Sequence, residues 1–165
     1  MSSELSSEVL VRQFGNLELE ILNQDDRERI ICNRTVPDGR VIELSKVAFR
    51  QEGVAAFPEI HQRILRGASI GAAFAEASVP FHREIHASRH YEDEVPSSFA
   101  ERFGSQEPPT VTDLSVLVGA DNIPYADILE VYNPAVVPWE QSPEKLSATA
   151  ISRLHEFGAT LANIA

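Results

Sequence analysis

Cysteine is nearly absent: Cys32 is the single one among 165 residues. One cysteine excludes an internal disulfide and any cysteine-based zinc site. Long apolar runs are absent too, and nothing approaches the roughly 20 residues of a membrane helix. Basic residues are scarce, with 14 Lys and Arg against 25 Asp and Glu and a formal net charge of −11. That balance argues against non-specific binding to nucleic acid or to an anionic membrane. The start, Met1-Ser-Ser-Glu-Leu-Ser-Ser-Glu, lacks the basic and then apolar order of a secretion signal, so a cytoplasmic location is the expectation. There is no Gly-x-Ser-x-Gly elbow, no Walker-type loop and no dinucleotide fingerprint. No cofactor is therefore expected. Internal repeats and low-complexity tracts are missing as well.

What is present is an ordinary apolar share of 43%, with enough length for one sizeable core. The length favours a single domain over residues 1–165, with residues 1–8 polar and loose. Leu17-Glu-Leu-Glu-Ile-Leu alternates as a half-buried strand does. Arg29-Ile-Ile-Cys-Asn-Arg-Thr-Val and Arg40-Val-Ile-Glu-Leu-Ser-Lys-Val-Ala-Phe flank the turn signal Pro37-Asp-Gly39, which predicts a hairpin over residues 29–49. Pro58-Glu-Ile-His-Gln-Arg-Ile-Leu-Arg places Ile60, Ile64 and Leu65 on one helical face, with Pro58 in the first turn and Gly67 as a terminal cap. Ser69-Ile-Gly-Ala-Ala-Phe-Ala-Glu-Ala reads as a second short helix. Phe81 to Tyr91 fits a strand or a helix. Residues 92–110, acidic and rich in Pro and Ser, read as a long surface loop. Asn133-Pro-Ala-Val-Val-Pro reads as extended. Ser142 and Pro143 open a terminal helix with Leu146, Ile151, Leu154, Phe157 and Leu161 near helical spacing. The order of elements predicts an α+β fold, a mostly antiparallel sheet with helices packed on it.

The stretch from Asp113 to Pro134 reads as two strands joined by a tight turn. Its second strand, Pro124-Tyr-Ala-Asp-Ile-Leu-Glu-Val-Tyr, sets Glu130 in an apolar and aromatic run. An acid so placed faces either solvent on a half-buried strand or a pocket. Arg27, Arg29 and Arg34 admit a plain reading as solvated charges beside Asp25, Asp26 and Glu28. His82, His86 and His90 recur every four residues. On a helix they would share one face, a metal-like pattern; on a strand His82 and His90 stand too far apart to share an ion. No acid joins them on a helical face, and no metal site is expected. Cys32, in mid-strand, reads as a small core residue.

Several segments in this order resemble the chorismate lyase family, whose fold is shared with the ligand-binding domain of some bacterial transcription regulators. They are Arg27-Glu-Arg-Ile-Ile-Cys, Leu44-Ser-Lys-Val-Ala-Phe, Ser69-Ile-Gly71, His82-Arg-Glu-Ile and the run from Pro124 to Pro134. Together they span about two thirds of the chain, from Arg27 to Pro134. The resemblance implies a chorismate lyase-like domain in which an arginine, Arg27 or Arg29, and Glu130 meet the ligand. By the same resemblance Lys46 stands near a second family arginine, keeping the charge without the bidentate fork. Gly71 and Arg83 fall on the other matched segments. Gly71 has a plain alternative as a packing glycine. The N-terminal region is shorter than in the family's enzymes, and residues 92–110 and the terminal helix have no placed counterpart.

The family's enzymes remove pyruvate from chorismate to give 4-hydroxybenzoate. Such a substrate is a small anionic ring compound, which arginine forks would hold while Glu130 served as acid or base. The implied function is a small lyase acting on a cyclic carboxylate. The alternative is a non-catalytic small-molecule-binding module of the same fold. The residues do not choose between them, and fold does not fix function.

Overall fold

The alternating N-terminal third folds as three long strands, β1 (Leu17–Gln24), β2 (Glu28–Thr35) and β3 (Val41–Phe49). They pair antiparallel in sequence order, and the β2–β3 hairpin turns where Pro37-Asp-Gly39 sits. The computed structural model describes residues 6–84, 88–90, 95–112, 114–136 and 146–164. A helix, α1 (Ser6–Phe14), precedes the strands. Residues 6–8, expected to be loose, are therefore the first helical turn.

After β3 come α2 (Gln51–Ala56), α3 (Pro58–Leu65) and α4 (Ile70–Glu76), one helix more than the sequence periodicity suggests. Pro58 opens α3, and Gly67 follows its end with a φ of +109°, the left-handed conformation that glycine adopts without strain. Gly53 answers a different need. A Cβ there would lie 2.5 Å from the Pro124 carbonyl oxygen and the Tyr125 Cα, so only glycine lets α2 rest on the strand beneath.

The remaining strands are β4 (His82–Glu84), β5 (Ser88–His90), β6 (Thr110–Thr112), β7 (Ser115–Val118) and β8 (Pro124–Tyr132). The ambiguous stretch from Phe81 to Tyr91 thus contributes two short strands. All eight described strands join one sheet, ordered β1-β2-β3-β8-β6-β5, with β7 also on β8 and β4 on β7. Every pairing is antiparallel. β8 is the centre. One flank pairs with β3, and the other pairs with β6 near Tyr132 and with β7 near Ile128. A strand covered on both faces must be apolar nearly throughout, and β8 is buried over most of its length.

The residues 92–110 expected to form a surface loop instead carry α5 (Ser97–Phe103). Phe99 is fully buried there and meets Phe157 edge to face, with centroids 5.1 Å apart. The sequence reading failed because Pro and Ser hid an apolar pair at helical spacing, Phe99 and Phe103. The terminal helix α6 (Ala148–Ala162) begins at Ser147, whose hydroxyl accepts from Ala150 N at 3.1 Å. The expected start at Ser142 and Pro143 lies outside the described residues. Asn133 to Val136 is a turn rather than an extended segment, because the Asn133 side chain accepts from Ala135 N at 2.9 Å.

One sheet face packs Ile30, Cys32, Leu44, Leu129 and Val131 against α5 and α6. The other packs Val47, Phe49, Leu117, Ala126 and Ile128 against α2, α3 and α4. Cys32 sits in the first core, where burial raises its thiol pKa to about 11, so it is an inert core residue. Truncating Phe99 tests whether residues 97–103 are structural. Phe99→Ala is expected to cost about 3–5 kcal/mol, read as a lower urea midpoint at unchanged slope; a cost near zero would return the segment to a surface loop.

Candidate functional site

Arg29, Ile31 and Asn33 of β2, Glu43, Ser45, Val47 and Phe49 of β3, and Ala126, Ile128 and Glu130 of β8 share the sheet face under α2 to α4. Past the bulge at Asn33 and Arg34 the parity changes, and Val41 packs in the opposite core. Toward Phe49 and Ala126 the shared face is apolar. Toward the β2–β3 turn it becomes polar: Asn33, Glu43, Ser45 and Glu130, with Arg29 at the opposite end of β2, line a cavity of about 230 Å³. Leu19, Ile31, Val47, Leu117 and Ile128 supply apolar walls, and residues 69–72 at the start of α4 close one side. Ser69 caps that helix by accepting from Ala72 N.

Four charged side chains meet here. Glu130 is 2% exposed and forms an ion pair with Arg83, whose side chain is 5% exposed. Arg83 stands on β4 opposite Leu117 of β7, and so reaches Glu130 across one intervening strand. Its Nε and Nη2 also donate to Ser115 Oγ at 3.1 and 2.9 Å. Burial, the largest influence, works against the Arg83 charge, but Glu130, Tyr132 and Glu43 together outweigh it and the guanidinium pKa is raised. Arg29 is 1% exposed. Its Nη1 donates to the Ala68 carbonyl at 2.7 Å, while Nε and Nη2 have no partner among the described residues. Burial lowers its pKa, yet a guanidinium keeps its proton in proteins.

Glu43, 2% exposed, is the fourth. Its Oε1 accepts from Asn33 Nδ2 at 2.9 Å and from Ser45 Oγ at 3.0 Å, and Oε2 has no partner among the described residues. Burial, and then the nearby Glu130 charge, raise its pKa to about 8. The cause is physical: two carboxylates close together in low dielectric do not both ionise, and Arg83 is already committed to Glu130. Glu43 is the carboxyl that keeps its proton at neutral pH. The Tyr132 phenol is likewise raised by burial.

No protein-family model and no curated protein sequence matches this chain. Solved structures do. PhnF from Mycobacterium smegmatis superposes with a TM-score of 0.50 at 12% identity, over 87% of this chain and 70% of that one. The chain has the chorismate lyase-like fold. The effector domain of the same PhnF gives a TM-score of 0.46 at 13% identity, over 78% of this chain and 85% of that one. The ligand-binding domain of a protein described as a GntR-family transcriptional regulator from Bordetella bronchiseptica gives 0.48 at 10%, over 78% and 92%. At these identities the likeness is one of architecture.

Within the chorismate lyase-like fold, four of the six residues singled out in the sequence line one cavity: Arg29, Gly71, Arg83 and Glu130. Two do not. Arg27 precedes β2, is exposed, and sits in a turn where the Asp25 carboxylate accepts from the Arg27 and Glu28 amides at 2.7 and 2.8 Å. Of the two arginines, Arg29 lines the cavity and Arg27 does not. Lys46 is buried on the opposite sheet face, 3.4 Å from Glu28 and 3.7 Å from Glu156 of α6. Its even number on β3 makes that placement unavoidable, because cavity residues on this strand are odd. Among the described residues no cluster of three or more His, Cys, Asp or Glu side chains is placed to hold a metal ion. His82 is exposed on β4, His90 falls on β5, and His86 lies outside the described residues.

Glu43, Asn33 and Ser45 are cavity residues that the sequence reading passed over. The signal for Glu43 was available: Val41-Ile-Glu-Leu sets an acid in an apolar strand, as the run around Glu130 does. Two predictions follow from this charge arrangement. Arg83→Met leaves Glu130 buried without its cation and is expected to cost about 3–5 kcal/mol in urea denaturation, while the double variant Arg83→Met/Glu130→Leu recovers most of it. Glu43 has a folded pKa above its unfolded value, so its stabilising contribution is complete below about pH 4.5 and is lost as pH rises through about 8. The thermal midpoint of the native protein, measured relative to Glu43→Gln, should therefore fall between pH 5 and 8 and level off above.

Proposed function

We propose that this chain is a ligand-binding module that holds a small, cyclic, anionic molecule on Arg29. One observation carries the reading: a fully buried guanidinium presents two donors, Nε and Nη2, that no described residue satisfies, at the wall of a cavity. Native proteins rarely leave such groups unmatched, because each costs about 1–3 kcal/mol. A carboxylate satisfies both in bidentate geometry. The cavity, at about 230 Å³, is smaller than the roughly 300–1,000 Å³ of drug-sized pockets, which suits a single ring. Its apolar walls suit the body of such a ring.

The arrangement favours binding over lyase chemistry. A dianionic substrate such as chorismate calls for a second available cation, but Arg83 is matched to Glu130 and Lys46 faces the other side of the sheet. Glu130 is held by Arg83, and its backbone N–H donates to Thr112 Oγ1 at 3.2 Å. A carboxylate anchored in this way acts as structural counter-charge rather than as a base free to move toward a substrate. The fold is compatible with either activity.

Calorimetric titration with benzoate and with cyclohexanecarboxylate tests the reading. The native protein is expected to bind both acids and neither of the neutral carboxamides. Arg29→Met should weaken binding by about 30-fold, the loss of a charged hydrogen-bonded pair worth about 2 kcal/mol. Incubation with chorismate should release no pyruvate. Release that disappears in Glu130→Gln would overturn the reading in favour of a lyase.

A further inference from the structure

The ligand-binding reading leaves one buried polar atom of the cavity unexplained, Oε2 of Glu43. Its companion Oε1 is saturated by Asn33 and Ser45, and the carboxyl is 2% exposed. The titratable and charged groups that face it are Glu130 and Tyr132 from β8 and Arg83 from β4. The cation among them, Arg83, forms its ion pair with Glu130, and no ion pair to Glu43 is present among the described residues. Kept neutral, Glu43 carries an O–H, and Oε2, the oxygen without a partner among the described residues, is the one that can present it to the cavity. Two guanidiniums against one carboxylate then leave a single positive charge over, at Arg29.

We propose that Glu43 is a specificity-determining group of this site: its Oε2–H donates to a neutral acceptor oxygen at the far end of the ligand, so the site takes a cyclic monocarboxylate that carries a carbonyl or hydroxyl across the ring. This deepens the ligand-binding reading and rests on it. The strand register supports the spacing. Arg29 pairs with Val47 on β3, and Glu43 lies four residues further along that strand, about 13 Å away along the backbone. The ligand's carboxylate and its acceptor oxygen therefore meet side chains from different positions along the β2–β3 hairpin. A second carboxylate in the acceptor's place would bring a buried charge with no cation to meet it, which is strongly disfavoured. The apolar residues Ile31, Val47 and Ile128 between the two ends suit the ring itself.

The raised Glu43 pKa gives the proposal a pH signature. Below about 8 the donor is present. Above it the proton leaves, the surplus positive charge is cancelled, and an anionic ligand loses both contacts' support. The ligand carboxylate and the guanidiniums do not titrate in that range.

The test compares 4-oxocyclohexanecarboxylate, whose ketone can only accept, with cyclohexanecarboxylate, by calorimetric titration from pH 6.5 to 9.5. The native protein should prefer the keto acid by about fivefold at pH 7, the size expected for one added hydrogen bond. Its affinity should fall about tenfold or more by pH 9.5. In Glu43→Gln, whose amide donates at every pH, the profile should be flat. In Glu43→Leu the preference for the keto acid should vanish. If native protein and Glu43→Gln bind the keto acid with the same pH profile, and binding is still lost in Arg29→Met, this proposal falls and the Arg29 reading stands. If neither acid binds the native protein at pH 6.5, the ligand-binding reading falls and takes this one with it.

Discussion

The buried pair between Arg83 and Glu130 is the interaction on which the charge pattern of this protein depends. Glu130 lies on β8, the central strand, with sheet on both sides and helical layers above and below. A carboxylate at such a depth costs several kcal/mol unless a cation meets it there. β4 delivers that cation. It is a strand of three residues, attached to the sheet through β7 alone among the described strands, and its middle residue is Arg83. The Ser115 hydroxyl on β7 fixes the guanidinium from the side. Burial, and then the Glu130 charge, raise the pKa of the neighbouring Glu43, and Arg83, paired with Glu130, offsets this only in part. Arg29 has no acid within ion-pair distance among the described residues, and its Nε and Nη2 have no partner among them. The cavity thus holds one matched pair, one carboxyl pushed toward its neutral form and one guanidinium with open donors.

This has a cost that the two cores absorb. The face that carries the cavity interrupts an otherwise apolar layer, so burial is lost there and polar groups are desolvated. The opposite face is fully apolar over Ile30, Cys32, Leu44 and Val131, and α5 and α6 seal it. The helices α2 to α4 form a separate aromatic and aliphatic cluster around Phe74 and Tyr125 at the far end of the cavity face. A site whose buried donors lack partners among the described residues can persist because rigid packing on both sides holds its walls in place.

Much of this was legible in the chain. The turn at Pro37-Asp-Gly39 and the alternation before it predict the β1 to β3 meander. The apolar run around Glu130 marks a covered strand with an acid in it. The same signal at Glu43 carried equal weight, but it belonged to no matched family segment and drew no notice. Residues 92–110 misled because composition speaks for solvent while Phe99 and Phe103 speak for a helix, and the pair is too short to dominate the window. Lys46 misled for another reason. Position along a strand says how near two residues are, whereas parity says whether they share a face, and Lys46 has the wrong parity.

Local order was the chain's own to determine: which segments are strands, where the hairpins turn, and that the sheet is antiparallel. Those properties follow from periodicity and turn chemistry, which act over a few residues. Tertiary structure alone decided which charges meet. Arg29, Glu43, Arg83 and Glu130 are spread over about a hundred positions of sequence, and nothing local ties them together. Their convergence comes from strand order, with β8 inserted beside β3 and β4 reached through β7. Their protonation comes from burial and mutual repulsion, which operate through space and do not exist until the sheet has closed over them.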